Sequence, residues 1–411
     1  MDKFFHSVIL DKDKCKGCTN CLKRCPTEAI RLHNGKARII SERCIDCGEC
    51  IRICPHHAKK VKADPISIIN GWKYKIALPA PSLFGQFNNL HNIDIILTGL
   101  KDIGFDYVFE ASRGAELISD ATKKMITDKN VKKPIISSAC PAVVRLIKVC
   151  FPELCKLVLP INSPMETSAT IAKKEAFKKT GIPIKDIGAF FITPCPAKVT
   201  EIKDPLGKDI SSVDGAIAMS DIFKTLSKNI DKLKPENIKS LSKSGFIGIG
   251  WATTEGESNA TMSNNYLAAD GIENVIRVLD EVEDNRIRDI DFIELNACSG
   301  GCVGGVLTIE NPYIAKTRIK GLKKYLPSSL NNINGKIPNN MRWNKELKFS
   351  PVLNLSDNLE EAMQMMEDID KLCELLPGLD CGSCGAPSCK ALAEDIVKKQ
   401  SSINDCIFVK N

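Results

Sequence analysis

The sequence lacks any long apolar run. No stretch of its 411 residues approaches the roughly 20 consecutive apolar residues that a membrane-spanning helix requires. The N-terminus, Met1-Asp-Lys-Phe-Phe-His, also lacks the apolar segment of a secretory signal peptide. These two absences predict a protein without a membrane span that stays in the cytoplasm.

Concentrated positive charge is missing as well. The formal net charge is +7, but lysines are scattered in short pairs such as Lys123-Lys124 and Lys323-Lys324. That value counts every cysteine as neutral, whereas a cubane held by four thiolates carries a net charge of about −2. Four such sites would bring the loaded protein near neutrality, so no nucleic-acid partner is expected.

Cysteine is what the sequence has in abundance, with 19 residues. Clustered cysteines in a reducing compartment are typical of metal ligands rather than of disulfides. Residues 12–55 contain one spacing twice, as Cys15-x2-Cys18-x2-Cys21-x3-Cys25-Pro26 and Cys44-x2-Cys47-x2-Cys50-x3-Cys54-Pro55. This repeated run is typical of bacterial ferredoxins that carry two 4Fe-4S clusters.

In the two-cluster pattern the fourth cysteine of each run binds the other cluster. The predicted ligand sets are therefore Cys15, Cys18, Cys21 and Cys54 for one cluster, and Cys25, Cys44, Cys47 and Cys50 for the second. Structural zinc sites use pairs of closely spaced ligands, so three cysteines followed by Cys-Pro in each half disfavour zinc.

From about residue 70 the pattern changes to short β-branched runs that alternate with longer amphipathic segments. The predicted strands are residues 74–78, 105–109, 134–137, 189–193, 246–250 and 291–295, and predicted helices between them include 142–157 and 166–179. This alternation predicts an α/β fold with mainly parallel sheets, which bind ligands at the carboxyl ends of their strands.

Two thiols follow the last predicted strand. Cys298 and Cys302 are separated by three residues, in a loop that also holds Gly300, Gly301, Gly304 and Gly305. Because glycine allows positive φ and a close approach of the backbone to a bulky inorganic ligand, the loop is expected to cradle a metal cluster. Cys140 and Cys195, which also follow apolar runs, are expected to complete the site.

The C-terminal part holds a further cysteine set. Cys381, Cys384, Cys389 and Cys406 make a complete 4Fe-4S ligand set, and the motif resembles the small cluster domain of corrinoid iron-sulfur proteins and of some membrane electron-transport complexes. The preceding residues 326–355 are rich in Asn, Ser and Pro, as expected of a linker or a surface excursion. The predicted domains are 1–64, 65–325 and 356–411, with 326–355 as the linker.

Three segments of the chain resemble the signature segments of FeFe-hydrogenases, in their order and approximate spacing. They are Ser137-Ser-Ala-Cys140-Pro, Thr193-Pro-Cys195-Pro-Ala-Lys198-x2-Glu201 and Glu294-x3-Cys298-x3-Cys302-x-Gly-Gly. The resemblance implies two lobes of mainly parallel sheet and an H-cluster, which is a 4Fe-4S cubane bridged to a diiron unit with CO, cyanide and dithiolate ligands.

The same resemblance implies residue roles. The cubane ligands would be Cys140, Cys195, Cys298 and Cys302, with Cys302 as the bridge to the diiron unit. Lys198 matches the lysine that hydrogen-bonds a cyanide ligand, which suits a cation facing an anionic diatomic. Pro81, in Ala80-Pro81-Ser82, matches the segment that contacts the other side of the diiron unit.

Departures from the family pattern concern proton transfer. Ala139 stands where active members have a proton-carrying cysteine, and Leu159 stands where they have a relay serine. Thr193 and Asn296 replace two methionines, and residues 114–120 lack the paired glutamates of the relay. These losses resemble the branch of the family assigned to sensing, in members that carry a C-terminal cluster domain in place of a PAS domain.

The resulting hypothesis is an oxidoreductase that interconverts H2 with protons and electrons, slow and tuned for sensing. Electrons would pass through the ferredoxin clusters, with the C-terminal cluster as the exit or as the contact with a redox or signalling partner. One alternative is that the departures are drift in an enzyme that turns over hydrogen by another path. The other is a non-catalytic iron-sulfur electron-transfer or signalling protein without the diiron unit.

Overall fold

A computed structural model describes residues 5–351, 355–356 and 358–409. The predicted domain limits and linker therefore extend in part onto residues outside the described part, namely 1–4, 352–354, 357 and 410–411. Within the described residues, every helix is too short or too polar to cross a membrane.

The strands are named in chain order. They are β1 (Val8–Leu10), β2 (Ile30–His33), β3 (Lys36–Ile39), β4 (Lys59–Val61), β5 (Tyr74–Pro79), β6 (Tyr107–Val108), β7 (Ile135–Ile136), β8 (Ile187–Thr193), β9 (Gly215–Ala218), β10 (Tyr266–Asp270) and β11 (Phe292–Asn296).

The α-helices are named likewise. They are α1 (Asn20–Lys23), α2 (Glu49–Arg52), α3 (Asp94–Ile103), α4 (Ala111–Thr127), α5 (Pro141–Cys150), α6 (Pro164–Thr180), α7 (Pro196–Lys203), α8 (Met219–Ile230), α9 (Phe246–Gly250), α10 (Gly256–Thr261), α11 (Ile272–Glu283), α12 (Pro312–Lys323), α13 (Leu359–Leu375) and α14 (Cys389–Val397).

The first sheet of the central domain is fully parallel, with the strand order β6-β5-β8-β9. Tyr74 lies opposite Ile187, and Phe190 lies opposite Gly215. Every residue of β8 is buried, as expected of a parallel strand that helices cover on both faces.

The second sheet is also parallel, with the order β10-β11-β7. Phe292 in the middle strand lies opposite Tyr266 on one side and Ile135 on the other. The predicted fold class, α/β with two lobes of mainly parallel sheet, is therefore confirmed.

The N-terminal domain is built from two short antiparallel pairs, β1 with β4 and β2 with β3. Each cysteine run contributes a single-turn helix, α1 or α2, and leads into the strand that begins five residues after its Cys-Pro cysteine, at Ile30 or Lys59. This repetition matches the ferredoxin-like region that the sequence predicts.

The prediction of a strand at residues 246–250 is wrong, because this segment forms the helix α9. A short apolar run does not by its periodicity distinguish a strand from a buried helix. Gly248 explains why a helix fits here: a Cβ at this position would lie 2.2 Å from the backbone oxygen of Ser112 in α4, so the two helices approach through glycine.

Other element limits differ in detail from the prediction. The predicted helix 142–157 ends at Cys150, since Pro152 removes a backbone donor and starts a 3-10 turn. The strands β9 and β10 were not predicted, and only residues 107 and 108 of the predicted strand 105–109 are extended.

The Asn- and Ser-rich segment before the C-terminal domain packs on the central domain. The carboxylate of Glu116 accepts backbone hydrogen bonds from Leu330 and Asn331, both at 3.0 Å. Further along, Arg342 forms an isolated antiparallel bridge with Ile161. The described part of residues 326–355 therefore contacts the central domain at both of these points.

The C-terminal domain docks on the ferredoxin-like domain through buried ion pairs. Arg43 and Glu394 lie 3.0 Å apart, with side chains only 7% and 5% exposed. Arg31 pairs with Asp395 at 2.5 Å, and the backbone N–H of Leu32 donates to Gly385 at 2.8 Å. A buried ion pair compensates the cost of removing its charges from water only when its geometry is good. These contacts therefore fix how the two domains meet.

Candidate functional site

One cavity opens where the carboxyl ends of the two parallel sheets face each other. Pro81 follows β5 and Cys195 follows β8 of the first sheet, while Cys140 follows β7 and Cys298 follows β11 of the second. All four residues line this cavity, together with Cys302. Ligands of open α/β sheets bind at such strand ends, so the fold itself assembles the site.

The four thiols are held at turns between strands and helices. Cys140 and Cys195 are the N-cap residues of α5 and α7, and each is followed by a proline in the first helical turn. Cys302 begins a single 3-10 turn after the glycine loop. Proline suits the first helical position because a backbone N–H there has no intrahelical partner, so its absence removes no hydrogen bond from the helix.

The glycine loop approaches neighbouring backbone too closely for side chains. Gly301 has φ of 88°, and a Cβ there would lie 2.5 Å from the backbone nitrogen of Thr254. A Cβ on Gly305 would lie 2.3 Å from the carbonyl oxygen of Pro194, next to Cys195. The glycines thus bring the last two thiols against the segment that carries Cys195.

Burial strongly disfavours free thiolates in this cavity. It raises the pKa of Cys195 to about 11 and the pKa of Cys302 to about 12, and nearby thiols add to both shifts. Burial likewise raises the pKa of Cys298 well above its usual range. A bound metal deprotonates its thiol ligands and compensates their charge, so this donor set fits a metal cluster.

Lys198 lies one turn after Cys195 on α7 and is half-buried at the cavity wall. Across the part of the chain that the structure describes, its ammonium group has no ion-pair or hydrogen-bond partner. Ala139 and Pro81 line the same cavity. The structure therefore brings together all the residues that the sequence predicts for this site.

Two buried glutamates at the cavity wall were missed as site residues. Glu257 and Glu294 are 4% and 3% exposed, and both line the cavity. Oε2 of Glu257 accepts a hydrogen bond from the Ser137 hydroxyl at 2.6 Å, whereas Oε1 has no partner among the described residues. Burial, with the neighbouring charge of Glu294, raises the pKa of Glu257.

The carboxylate of Glu294 accepts more hydrogen bonds than that of Glu257. It accepts hydrogen bonds from the backbone N–H of Ser258 at 2.8 Å and from the side chain of Asn296 at 2.9 Å. Burial raises the pKa of Glu294 as well. Two neighbouring buried carboxyl groups favour the state in which one of them keeps its proton at neutral pH.

The sequence departs from the family pattern at three further positions, whose places in the structure are as follows. Thr193 is fully buried, and its hydroxyl accepts a bond from the backbone N–H of Cys195 at 3.2 Å. Leu159 is 1% exposed, in an apolar cluster with Phe292. Asn296 lines the cavity. Leu159 therefore offers no proton carrier.

The cysteines of the N-terminal domain line two separate cavities. One is lined by Cys15, Cys18, Cys21 and Cys54, and the other by Cys25, Cys44, Cys47 and Cys50. These are the two ligand sets predicted from the sequence. Backbone N–H groups of Ala29 and Ala58 point at the sulfurs of Cys25 and Cys54, at 3.2 and 3.3 Å, which suits thiolates that carry a cluster.

The C-terminal cysteines also surround one cavity. Cys381, Cys384, Cys389 and Cys406 all line it. The backbone N–H of Cys389 donates to Asp380 at 2.6 Å, which fixes the start of α14 beside the thiols. Cys381 is exposed, so this site lies at the protein surface.

The ferredoxin-like domain, with its two cysteine sites, lies between the C-terminal site and the cavity of the central domain. Gly382 of the C-terminal site packs against Leu22 and Lys23, beside the cavity that holds Cys21. At the other end of the ferredoxin-like domain, Gly48 packs against Val306. We name the set with Cys15 the distal site and the set with Cys47 the proximal site.

Family models match most of the chain. The model described as "Iron only hydrogenase large subunit, C-terminal domain" matches residues 73–263 and 236–306, which is more than half of the chain. A 4Fe-4S dicluster domain matches residues 7–55, and an iron-sulfur cluster family matches residues 376–408.

Individual proteins agree with this result. Iron hydrogenase 1 of Clostridium pasteurianum is 25% identical over 374 residues, covering 74% of this chain and 65% of that protein. The NADP-reducing hydrogenase subunit HndD of Solidesulfovibrio fructosivorans is 23% identical, covering 71% of this chain and 55% of that subunit. This chain thus spans less than two thirds of the length of either relative.

Among solved structures, an FeFe-hydrogenase from Chlamydomonas reinhardtii shares the fold, with a TM-score of 0.50 and 18% identity over 62% of this chain and 86% of that one. The extent of the family match, together with the cysteine cavity, decides the assignment. The chain belongs to the family of the iron-only hydrogenase large subunit.

Proposed function

We propose that this protein is an FeFe-hydrogenase-type oxidoreductase that interconverts H2 with protons and electrons, with slow turnover suited to sensing. One observation carries the proposal: four thiols from three distant segments line one cavity together with a lysine cation that has no partner among the described residues. Cys140, Cys195, Cys298 and Cys302 would hold the cubane, and Cys302 would form the bridge. When bound, the diiron unit of the H-cluster supplies the chemistry that makes or splits H2.

The remaining cavity residues would bind and orient this cofactor. Lys198 places on the wall a cation whose donors have no partner in the described part of the chain, and a cyanide ligand is an anion that can accept from it. Ala80 and Pro81 close another part of the wall with apolar groups and help to exclude water. The match between this cation and an anionic ligand favours a site that accepts the diiron unit.

Proton handling would fall to Glu257. Ala139 carries no titratable group, whereas Oε1 of Glu257 lies in the cavity wall without a partner among the described residues. Its raised pKa suits a group that both accepts and releases protons near neutral pH. Glu294 lies beside it at the same cavity wall.

Electrons would cross the protein through the distal and proximal sites. Arg52 of the proximal region donates a 3.0 Å hydrogen bond to the carbonyl of Gly304, two residues after Cys302. At the opposite end, the C-terminal site with the exposed Cys381 would meet a redox or signalling protein. The order of the sites thus supports an electron relay between the cavity and the surface.

Slow, sensory behaviour is supported by what the cavity lacks. The proton-carrying thiol and the relay serine are replaced by Ala139 and Leu159, and Leu159 is packed in apolar surroundings. The same observation favours a second candidate, a non-catalytic iron-sulfur electron-transfer or signalling protein without the diiron unit.

Infrared spectroscopy separates the two candidates. The chain, reconstituted with iron and sulfide, is supplied with a synthetic diiron cofactor and examined for bands of metal-bound CO and cyanide. The hydrogenase proposal expects these bands in the wild-type chain and weaker loading in Lys198→Met, which nearly keeps the size of the side chain but removes its charge. Bands that are absent from the wild type would leave the second candidate.

A further inference from the structure

A buried lysine lies next to the distal site of the ferredoxin-like domain. Lys59 is only 3% exposed, and it lines the cavity formed by Cys15, Cys18, Cys21 and Cys54. Its ammonium nitrogen has no hydrogen-bond partner in the described part of the chain. Burial of an unpaired cation is costly, so its position requires a negative charge nearby.

The internal repeat has an apolar residue at the position that is equivalent to Lys59. Ala29-Ile30 follows the first Cys-Pro at the same spacing as Ala58-Lys59 follows the second. Ile30 begins β2, is 2% exposed and lines the cavity of the proximal site. Lys59 begins β4 and takes the corresponding place at the distal site. One half of the repeat therefore presents an apolar group to its cluster cavity, and the other half presents a cation.

The lysine acts electrostatically on thiols of both ligand sets. Burial raises the pKa of Cys50 to about 12, and the positive charge of Lys59 is the main influence that opposes this rise. Burial also raises the pKa of Cys21, and Lys59 again opposes it. Cys21 belongs to the distal set and Cys50 to the proximal set, so the charge of Lys59 acts on thiols of both sets, although its side chain lines only the distal cavity.

We propose that Lys59 is the counter-charge of the ferredoxin cluster pair and raises the reduction potential of the distal cluster most. Reduction by one electron takes a four-thiolate 4Fe-4S cluster from a charge of about −2 to about −3. A cation enclosed beside the cluster stabilises the reduced form more than the oxidised form, because the attraction grows with the charge. Burial keeps water and salt from screening it.

The consequence is an asymmetric pair. The cluster that faces Lys59 accepts an electron more readily than the cluster that faces Ile30, so a single electron rests on the distal cluster. This places the electron beside the C-terminal domain, where Gly382 packs on Leu22 and Lys23. The inference rests on the dicluster domain and not on hydrogen chemistry, and it stands whether or not the diiron unit binds.

The test is a potentiometric titration with dithionite, followed by EPR, of the full chain reconstituted with iron and sulfide only. Lys59→Met removes the charge and keeps the volume, and Lys59→Arg keeps the charge. Lys60→Met is the matched control, since Lys60 is the next residue of the strand but is exposed and paired with Asp11 at 2.8 Å.

We expect Lys59→Met to shift the reduction equilibrium of the distal cluster at least tenfold toward the oxidised form, which is 59 mV for a one-electron couple. Lys60→Met and Lys59→Arg should stay close to the wild type. The shift should persist from about 0.1 M to about 1 M salt, because a buried charge is little screened. Equal shifts in the two methionine variants would overturn the proposal.

A second variant separates an effect on the reduction potential from a loss of iron. If Lys59→Met binds less iron than the wild type, Lys59→Gln provides a neutral but polar side chain at the same place. The same fall in potential is expected there. A glutamine variant with full iron content and an unchanged potential would show that Lys59 serves packing rather than the redox equilibrium.

Discussion

The Ser137 hydroxyl donates a 2.6 Å hydrogen bond to Oε2 of Glu257 at the wall of the cysteine cavity. The same hydroxyl oxygen accepts a bond from the backbone N–H of Ala139 at 3.1 Å. Ser137 therefore connects the place of the missing proton-carrying thiol with a buried carboxyl group. Under the proposed function, Glu257 would be a proton carrier that does not depend on a cysteine.

Replacing Glu257 by glutamine should slow hydrogen evolution by about 10²- to 10⁴-fold, the usual contribution of a general acid-base group. Glutamine keeps the shape and the bond from Ser137 but cannot exchange a proton. The measurement is hydrogen evolution by samples matched in their infrared bands. Glu255→Gln, at an exposed position two residues earlier, serves as the control and should leave the rate unchanged. A Glu257→Gln variant as fast as this control would remove Glu257 from the proton path.

Sequence reasoning recovers the cysteine sites because their signal is local. Ligand spacing around one cluster is set by a few consecutive backbone angles, so runs such as Cys15 to Cys25 carry the chemistry within a dozen residues. Cys140, Cys195 and Cys298 could be grouped because each follows an apolar run, and parallel strands bring their carboxyl ends together.

The sequence does not indicate Glu257 as a site residue, because its position at the cavity depends on tertiary packing. It lies on the six-residue helix α10, and only the packing of this helix brings its carboxyl group to the cavity. The sequence predicts a strand for the neighbouring segment Phe246–Gly250, which forms a helix, and predicts no element for residues 256–261. Glu294 did carry a signal, since a carboxylate inside a buried strand needs partners.

Replacing Cys302 by alanine should abolish the infrared bands of the diiron unit while the ferredoxin EPR signals remain. The reason is modular: the distal and proximal ligand sets line cavities of their own within residues 15–54. Cys150→Ala is the matched control, because Cys150 is exposed and lies outside all four ligand sets. Loss of every cluster signal in the Cys302 variant would contradict this separation.

The buried Glu201 should make stability depend on pH. Burial raises the pKa of Glu201 to about 7, a shift that Lys198 and Arg145 oppose. Because the folded state then binds a proton that the unfolded state has lost, stability falls as pH rises from the ordinary value of 4.5 to about 7.

Glu201→Gln should remove this loss of stability. Between about pH 5 and about pH 8, the free energy of unfolding of the variant should therefore rise relative to that of the wild type by on the order of 2 to 3 kcal/mol. The measurement is denaturant unfolding of the cluster-loaded protein at both pH values. Glu255→Gln, an exposed carboxylate, should follow the wild-type curve. Parallel curves for wild type and Glu201→Gln would show that Glu201 does not titrate in this range.

Ending the chain at about residue 355 should remove one cluster, about four irons per chain, and leave diiron binding unchanged. Arg43 loses its partner Glu394 in this variant, but it also loses the domain that buries it, so its charge returns to water at little cost. Iron analysis and infrared bands of the shortened chain are the measurements. Full iron content would contradict the C-terminal ligand set.

Glu394→Ala in the intact chain is the informative comparison. Here Arg43 stays buried without its carboxylate, and breaking one side of a buried pair typically costs about 3 to 5 kcal/mol. The point variant should therefore unfold more easily than the wild type. A wild-type unfolding curve for this variant would mean that the ion pair contributes little to docking.

Ala139→Cys should raise hydrogen evolution less than about tenfold, well short of what a complete acid-base relay provides. The new thiol would stand in the cavity wall, but the next place on the family's relay is Leu159, which is 1% exposed among apolar side chains. A relay is limited by its weakest step, and under the proposed function Glu257, which Ser137 contacts, would already carry protons. The test compares fully cofactor-loaded wild type, Ala139→Cys and Ala139→Ser, the last of which adds a group of similar size that is a far weaker acid. An increase of about 10³-fold in the cysteine variant alone would show that a working proton path leads to residue 139 from the surface.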